Sequence, residues 1–341
     1  MGCSPEGSRP ASASDGLVLV QIIAGSAELV RVRVEDGATH RMTDTPKREE
    51  SWPYWSSVAQ RLVFQVRRAE GEADLVIWSE EHGERPLGAT PGREERWPTW
   101  APRSAKLAYA FRGGDLPAGV AIGDLTSGSQ DVIARTGDAD AFLRPSWAPS
   151  GDRLVAQRRL ASGAGSRLWL LSPGALPKLL SDDPSWFEFK PHFTRDARHI
   201  VFSRRRVGGG TGQIARLSLD GSERVRLAGV AGANDHSARP SPSRDEIAFV
   251  STRSGRPQIH LTDLDGETTR QLAEVAGAAF APRWSPDGDR IAMTVAPPGT
   301  AEPRLADQTS LASSRVVVID RAGVVLLDVP GVMPDWMPPW P

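Results

Sequence analysis

The sequence predicts an all-β protein, a seven-bladed beta-propeller of four-stranded antiparallel blades, and three observations predict it. A Pro-x-Trp phrase or its weakened copy returns at Pro53, Pro98, Pro145, Pro191, Ala238, Pro282 and Pro334, in steps of 45, 47, 46, 47, 44 and 52 residues. A turn glycine keeps the same beat at Gly37, Gly83, Gly128, Gly174, Gly221, Gly266 and Gly323. Between these landmarks lie short apolar runs bounded by Gly, Pro, Ser and Asp, and no stretch sustains a capped helical period. A strand-bearing period in the forties means a stacked or closed repeat. Four antiparallel strands per period make a propeller blade.

Each element follows in order. The first strand of a blade carries Pro-x-Trp, and its tryptophan is expected to pack between blades. A turn follows, fullest as Ser285-Pro286-Asp287-Gly288. The second strand is apolar, as in Arg61-Leu62-Val63-Phe64 and Arg290-Ile291-Ala292-Met293. The third, as in Gln258-Ile259-His260-Leu261, runs into the glycine turn. Asp36-Gly37, Asp220-Gly221 and Asp265-Gly266 suit a hairpin that needs positive φ. The fourth reads like Arg224-Val225-Arg226-Leu227.

The chain ends complete the count. Residues 17–34 and 40–42 supply strands two to four of a blade with no first strand before them, and Pro334-Asp335-Trp336 supplies a first strand with nothing after it. Joined, they make a seventh blade beside six internal ones, which would remove free sheet edges. Residues 296–314 are an insertion between the second and third strands of the sixth internal blade, a loop of the kind that often carries function. Segments 45–52 and 90–97 are near duplicates on adjacent blades.

Trp284-Ser285-Pro286-Asp287-Gly288-Asp289-Arg290-Ile291-Ala292 resembles the repeat of TolB-like propellers, the WD-related repeat common in bacterial envelope proteins. The resemblance covers residues 17–341, nearly the whole chain. It specifies fold far better than function. It implies a binding or scaffold role in the cell envelope. TolB itself places a separate α/β domain before six blades; this sequence has no room for that domain and counts seven.

The start of the chain points the same way. Gly2-Cys3-Ser4 resembles the end of a bacterial lipoprotein signal, Cys3 is the sole cysteine, and the polar residues after it read as a tether. The expected organisation is a disordered, lipoprotein-like tether over 1–16, with Cys3 as lipidation candidate, and one propeller over 17–341. The protein would be a periplasmic or surface lipoprotein, touching membrane only through Cys3. Net charge is −1 with no basic stripe, which argues against nucleic acid.

Catalytic signatures are sparse. There is no Gly-x-Ser-x-Gly elbow. The run Gly208-Gly209-Gly210-Thr211-Gly212 lacks the lysine and helix of a phosphate loop. The six histidines lack metal-ligand spacing, although His192 and His236 begin neighbouring first strands. No catalytic residue, metal or cofactor is predicted.

The first strands should line the central channel. The middle position of their repeat reads Tyr54, Thr99, Ser146, His192, Arg239, Arg283 and Asp335, and the residue before the proline adds Trp52, Trp97, Arg144 and Lys190. The candidate ligand site is therefore Arg144, Lys190, His192, Arg239 and Arg283, with Trp52 and Trp97. The competing expectation pairs these cations with Glu188, Asp235 and Asp335. The function expected is non-catalytic recognition of a protein, a peptide or a small anionic ligand at the channel mouth. The alternative is a polysaccharide lyase or hydrolase with its site there.

Overall fold

The computed structural model describes residues 15–46, 48–67, 73–87, 92–113, 117–137, 140–163, 165–300, 302 and 308–340. Cys3 and nearly all of the expected tether lie outside them. The described residues form strands almost throughout, with one short helix, Gln308–Ala312, inside the 296–314 insertion.

The strands fall into antiparallel sets of four. In the set nearest the C-terminus, Ala278–Trp284, Arg290–Ala296, Arg315–Asp320 and Val325–Pro330 pair in chain order. Three sheets have four strands and two have eight. Each eight-stranded sheet is bridged at a single parallel pair, Ala27 with Glu49 in one and Ser166 with Phe187 in the other. This all-β arrangement of four-stranded antiparallel sheets fits a propeller. The C-terminal strand Val332–Trp336 lies antiparallel to Gly16–Ile23, with Leu17 opposite Trp336 and Val18 opposite Asp335.

The first strand of each set is Glu49–Ser56, Arg93–Trp100, Ala141–Trp147, Trp186–Phe193, Asp235–Pro240, Ala278–Trp284 or Val332–Trp336. Each touches the next, and Val332–Trp336 also touches Glu49–Ser56. The core lies between neighbouring sheets. One cluster joins Ala248, Ile259 and Leu261 of one set to Trp284, Ile291 and Met293 of the next.

The repeated tryptophan has a second task besides packing. Its indole N–H reaches back to the carbonyl of the middle repeat residue in the preceding set: Trp100 to Tyr54 at 2.8 Å, Trp147 to Thr99 at 3.0 Å, Trp284 to Arg239 at 2.9 Å and Trp336 to Arg283 at 3.0 Å. A buried indole keeps its donor satisfied in this way. The turn glycines behave as their spacing predicts. All seven have φ between +64° and +92°. At Gly266 a Cβ would also stand 2.6 Å from the Leu227 carbonyl oxygen.

One feature departs from simple strand alternation. The register of six first strands slips at the same place, between Ser51 and Tyr54 in one and between Phe280 and Arg283 in another. The residue just before the proline position sits in the left-handed region in all seven: Trp52, Trp97, Arg144, Lys190, Ser237, Ala281 and Met333, with φ from +49° to +58°. This is a β-bulge repeated once per set. Left-handed backbone is costly for residues other than glycine, so the fold must hold it in place. Three of the bulge amides are held by side chains of the preceding set. Trp97 N–H donates to Gln65 Oε1 at 2.9 Å, Ser237 N–H to Ser203 Oγ at 3.0 Å and Met333 N–H to Thr294 Oγ1 at 3.0 Å.

Candidate functional site

The first strands converge on a recess of about 250 Å³ to which all seven contribute. The residue before the proline and the middle repeat residue stand two positions apart, so strand alternation by itself turns both to one face, and the bulge between them bends the strand there. Arg144, Lys190, His192, Arg239 and Arg283 all line the recess, together with Trp97. Trp52 is not part of the lining; it packs, half-buried, against the cluster of Val18, Leu62 and Met333. The other middle repeat residues, Tyr54, Thr99, Ser146 and Asp335, line it as well, and Trp55 and Trp100, which the repeat alone places between blades, help complete the wall.

The wall has an aromatic sector and a cationic sector. Tyr54, Trp55, Trp97 and Trp100 make the first. Arg283 lies 4.6 Å from the Tyr54 ring centroid and Arg144 lies 5.9 Å from that of Trp97, so the two sectors meet through cation–π contacts.

Two of the three acids expected to neutralise the cations are engaged elsewhere. Glu188 binds Arg224 at 2.9 Å and accepts from the Ser181 hydroxyl. Asp235 binds Arg253 at 3.0 Å. Asp335 faces the recess and accepts a hydrogen bond from the Trp55 amide at 2.9 Å. Burial raises the Asp335 carboxyl above its ordinary range, while Arg283 and the Trp55 N–H pull the other way. The cations therefore outnumber the acids.

Electrostatics record that imbalance. Burial pushes Lys190 down to about 8; Glu302 opposes the shift, and Arg144 and Arg239 add to it. Burial and Arg283 push Arg239 down to about 9. Burial also lowers Arg144. At Arg283 burial is outweighed by Tyr54 and Asp335, and the net shift is upward. The guanidinium groups stay charged at neutral pH. Burial is the largest cause of the depressions at Lys190, Arg144 and Arg239, and neighbouring cations add to it; a bound anion would offset that added part.

His192 sits between Ser146 and Arg239. Arg239 Nη1 lies 2.6 Å from His192 Nε2, and Ser146 Oγ lies 3.0 Å from Nδ1. Arg239 Nη1 also lies 3.3 Å from Nδ1, and since a guanidinium can only donate, the ring meets it as an acceptor. Burial and then the charges of Arg239, Arg283, Arg144 and Lys190 hold His192 well below its ordinary pKa. A Ser–His pair used for nucleophilic catalysis needs an acid behind the imidazole to stabilise the imidazolium. Here a cation stands in that position. The arrangement opposes proton uptake by His192.

His236 takes a different direction, with Nδ1 2.9 Å from Ser237 Oγ. Burial and Lys190 lower it to about 4, with Glu302 opposing. Among the described residues no three His, Cys, Asp or Glu side chains gather to hold a metal ion.

Glu302, from the insertion, reaches the cationic sector. Its Oε2 lies 3.7 Å from Lys190 Nζ, which also donates to Ser237 Oγ at 2.7 Å. Burial would raise the Glu302 carboxyl, but Lys190, His236 and Arg144 hold it below its ordinary value.

No family model matches the chain. A 114-residue stretch is 34% identical to the Tol-Pal system protein TolB of Gluconobacter oxydans, covering 33% of this chain and 25% of that protein. A 113-residue stretch is 36% identical to an uncharacterised protein of Agrobacterium fabrum, covering 30% of this chain and 38% of that one. The matches thus span well under half the length of these relatives. Among solved structures, TolB from Acinetobacter baumannii aligns over 98% of this chain and 88% of its own, with TM-score 0.52 and 14% identity. Oligogalacturonate lyase in complex with manganese aligns over 90% of this chain and 82% of its own, with TM-score 0.65 and 13% identity. Puromycin hydrolase aligns over 92% of this chain and 54% of its own, with TM-score 0.69 and 15% identity. These structural likenesses carry fold alone. Together with the repeat and the short TolB match, they give the chain a TolB-like β-propeller fold.

Proposed function

We propose that this TolB-like chain is a non-catalytic binding module of the bacterial cell envelope that takes an anionic group of a protein, a peptide or a small ligand into the channel recess. The reading includes a ring of seven blades, closed where Val332–Trp336 joins Gly16–Ile23, and a tether over 1–16 lipidated at Cys3. The observation that carries it is the surplus of cations: Arg144, Lys190, Arg239 and Arg283 face one recess of about 250 Å³ while Glu188 and Asp235 are paired elsewhere. A desolvated guanidinium bound to a carboxylate contributes about 1.5–3 kcal/mol per charged hydrogen bond. The aromatic sector would add apolar contact beside the charge.

The enzymatic reading draws on the fold likeness to a lyase and a hydrolase, and on the Ser146–His192 contact. It is the weaker one because Arg239 occupies the side of His192 where a carboxylate would be needed.

The test is calorimetric titration with galacturonate and with a tripeptide as free acid and as amide. The free acid should bind and the amide should not. Arg239→Ala and Arg283→Ala should each weaken binding about tenfold, the value of one such hydrogen bond, with thermal stability retained. Equal binding of acid and amide would overturn the anion reading. Turnover of galacturonate-containing oligomers or of peptide bonds would overturn the non-catalytic one.

A further inference from the structure

We propose that Glu302 is a built-in competitor for the cationic recess, and that the ligand is a peptide-borne carboxylate that displaces it from Lys190. This rests on the anion-binding reading of the recess and names both the ligand class and the control of that site.

The argument begins with where Glu302 comes from. It belongs to the insertion that follows strand Arg290–Ala296, yet its carboxylate lies beside Lys190, a residue of a different sheet. The far end of the insertion is anchored. Leu311 of helix Gln308–Ala312 is 2% exposed and packs with Val18, Val20, Val332 and Met337. Among the described residues of the insertion, Glu302 thus stands beside Lys190 and Leu311 packs beside the strand pair Gly16–Ile23 and Val332–Trp336.

The contact is that of an occupant and not of a permanent partner. Glu188 and Asp235, which are structural acids, are fully buried and bind arginines at 2.9 and 3.0 Å. Glu302 keeps 32% of its side chain exposed and stands 3.7 Å from Lys190 Nζ, beyond hydrogen-bond range. With no direct hydrogen bond and the acid partly open to water, the pair is one that a competing carboxylate can replace. Lys190 has a firmer neutral partner in Ser237 at 2.7 Å, so losing Glu302 would not strand the amine.

The occupant also indicates what the recess accepts. A glutamate side chain presented by a stretch of chain already stands beside Lys190, just outside the lining of the recess. An incoming acidic peptide would offer the same carboxylate to Lys190 and would reach Arg144 as well. Each ligand bound must first overcome the local concentration of Glu302, which a tethered group keeps high.

The experiment compares the full chain with Glu302→Gln, using Ac-Ala-Glu-Ala-NH2 and Ac-Ala-Gln-Ala-NH2 as probes in calorimetric titration. Glu302→Gln should bind the Glu peptide about tenfold more tightly than the unaltered protein, and neither should bind the Gln peptide. A second readout needs no ligand. NMR of reductively 13C-methylated protein should show the Lys190 amine titrating at lower pH in Glu302→Gln, because an opposing charge is gone. Equal or weaker binding of the Glu peptide by Glu302→Gln overturns the competitor role while leaving the anion site standing. An unmoved Lys190 titration overturns the contact itself. Failure of both proteins to bind the Glu peptide overturns this inference, and failure with the free-acid tripeptide and galacturonate as well overturns the anion-binding reading beneath it.

Discussion

Lys190 shows most clearly how a single residue reports the state of the recess. Its amine is depressed to about 8 by burial, with Glu302 opposing and Arg144 and Arg239 reinforcing. The sign of the consequence is fixed. Below about 8 the free site carries the charge; above it Lys190 loses its proton and the recess loses one cation. An anion stabilises the charged form, so bound protein should titrate higher than free protein. Affinity for Ac-Ala-Glu-Ala-NH2 should therefore be level from about pH 6.5 to about pH 7.5 and fall as pH rises through about 8, by at most about tenfold per pH unit. Lys190→Arg should abolish that fall below about pH 9, because a guanidinium keeps its charge. Titrations across this range check it; an affinity that rises with pH would contradict it. Lys190, Arg144, Arg239 and Arg283 were legible as a group because each sits at a fixed offset from the same repeat landmark. The engagement of Glu188 with Arg224 and of Asp235 with Arg253 was not legible, since those partners lie 36 and 18 residues away, one on another strand and one in a turn. The place of Glu302 was equally hidden, because no repeat constrains the insertion.

At the scale of the element, the first strand is where sequence and structure part. Its existence, its phase and its tryptophan could be read from spacing alone. Its bulge could not, because left-handed backbone is usually signalled by glycine, and here the positions hold Trp, Arg, Lys, Ser, Ala and Met. The signal lay instead in the following proline and in the polar residue of the preceding second strand: Gln65, Ser203 and Thr294 each accept a bulge amide. This makes a sharp prediction. Thr294 is 3% exposed and accepts from Met333 N–H. Thr294→Val keeps the shape but leaves that buried amide without a partner, and should destabilise the protein by about 1–3 kcal/mol. Equilibrium urea unfolding measures it. A loss under about 0.5 kcal/mol, the size of an ordinary surface substitution, would mean that the bulge is not held by this contact.

The recess belongs to the whole molecule more than to any strand. Tyr54 comes from one end of the chain and Asp335 from the other, and they face the same space. On the proposed architecture the ring exists only if Val332–Trp336 stays seated on Gly16–Ile23, beside Ala278–Trp284 and Glu49–Ser56. The seat is well provided: Trp336 donates to the Arg283 carbonyl, Met333 to Thr294, and Met337 N–H to Gly16 O at 3.1 Å. Spacing made the pairing of Val332–Trp336 with Gly16–Ile23 readable, since the N-terminal strands lacked a first strand and the C-terminal phrase lacked the other three. The most direct test of a recess built by a closed ring is hydrogen–deuterium exchange of the unaltered protein, followed by mass spectrometry of its peptides. The peptide over residues 332–337 should exchange as slowly as those over 141–147 and 278–284, which lie inside the chain and can open only with the fold. Exchange of 332–337 within seconds, while the other two stay protected, would contradict the closed ring and the recess that depends on it.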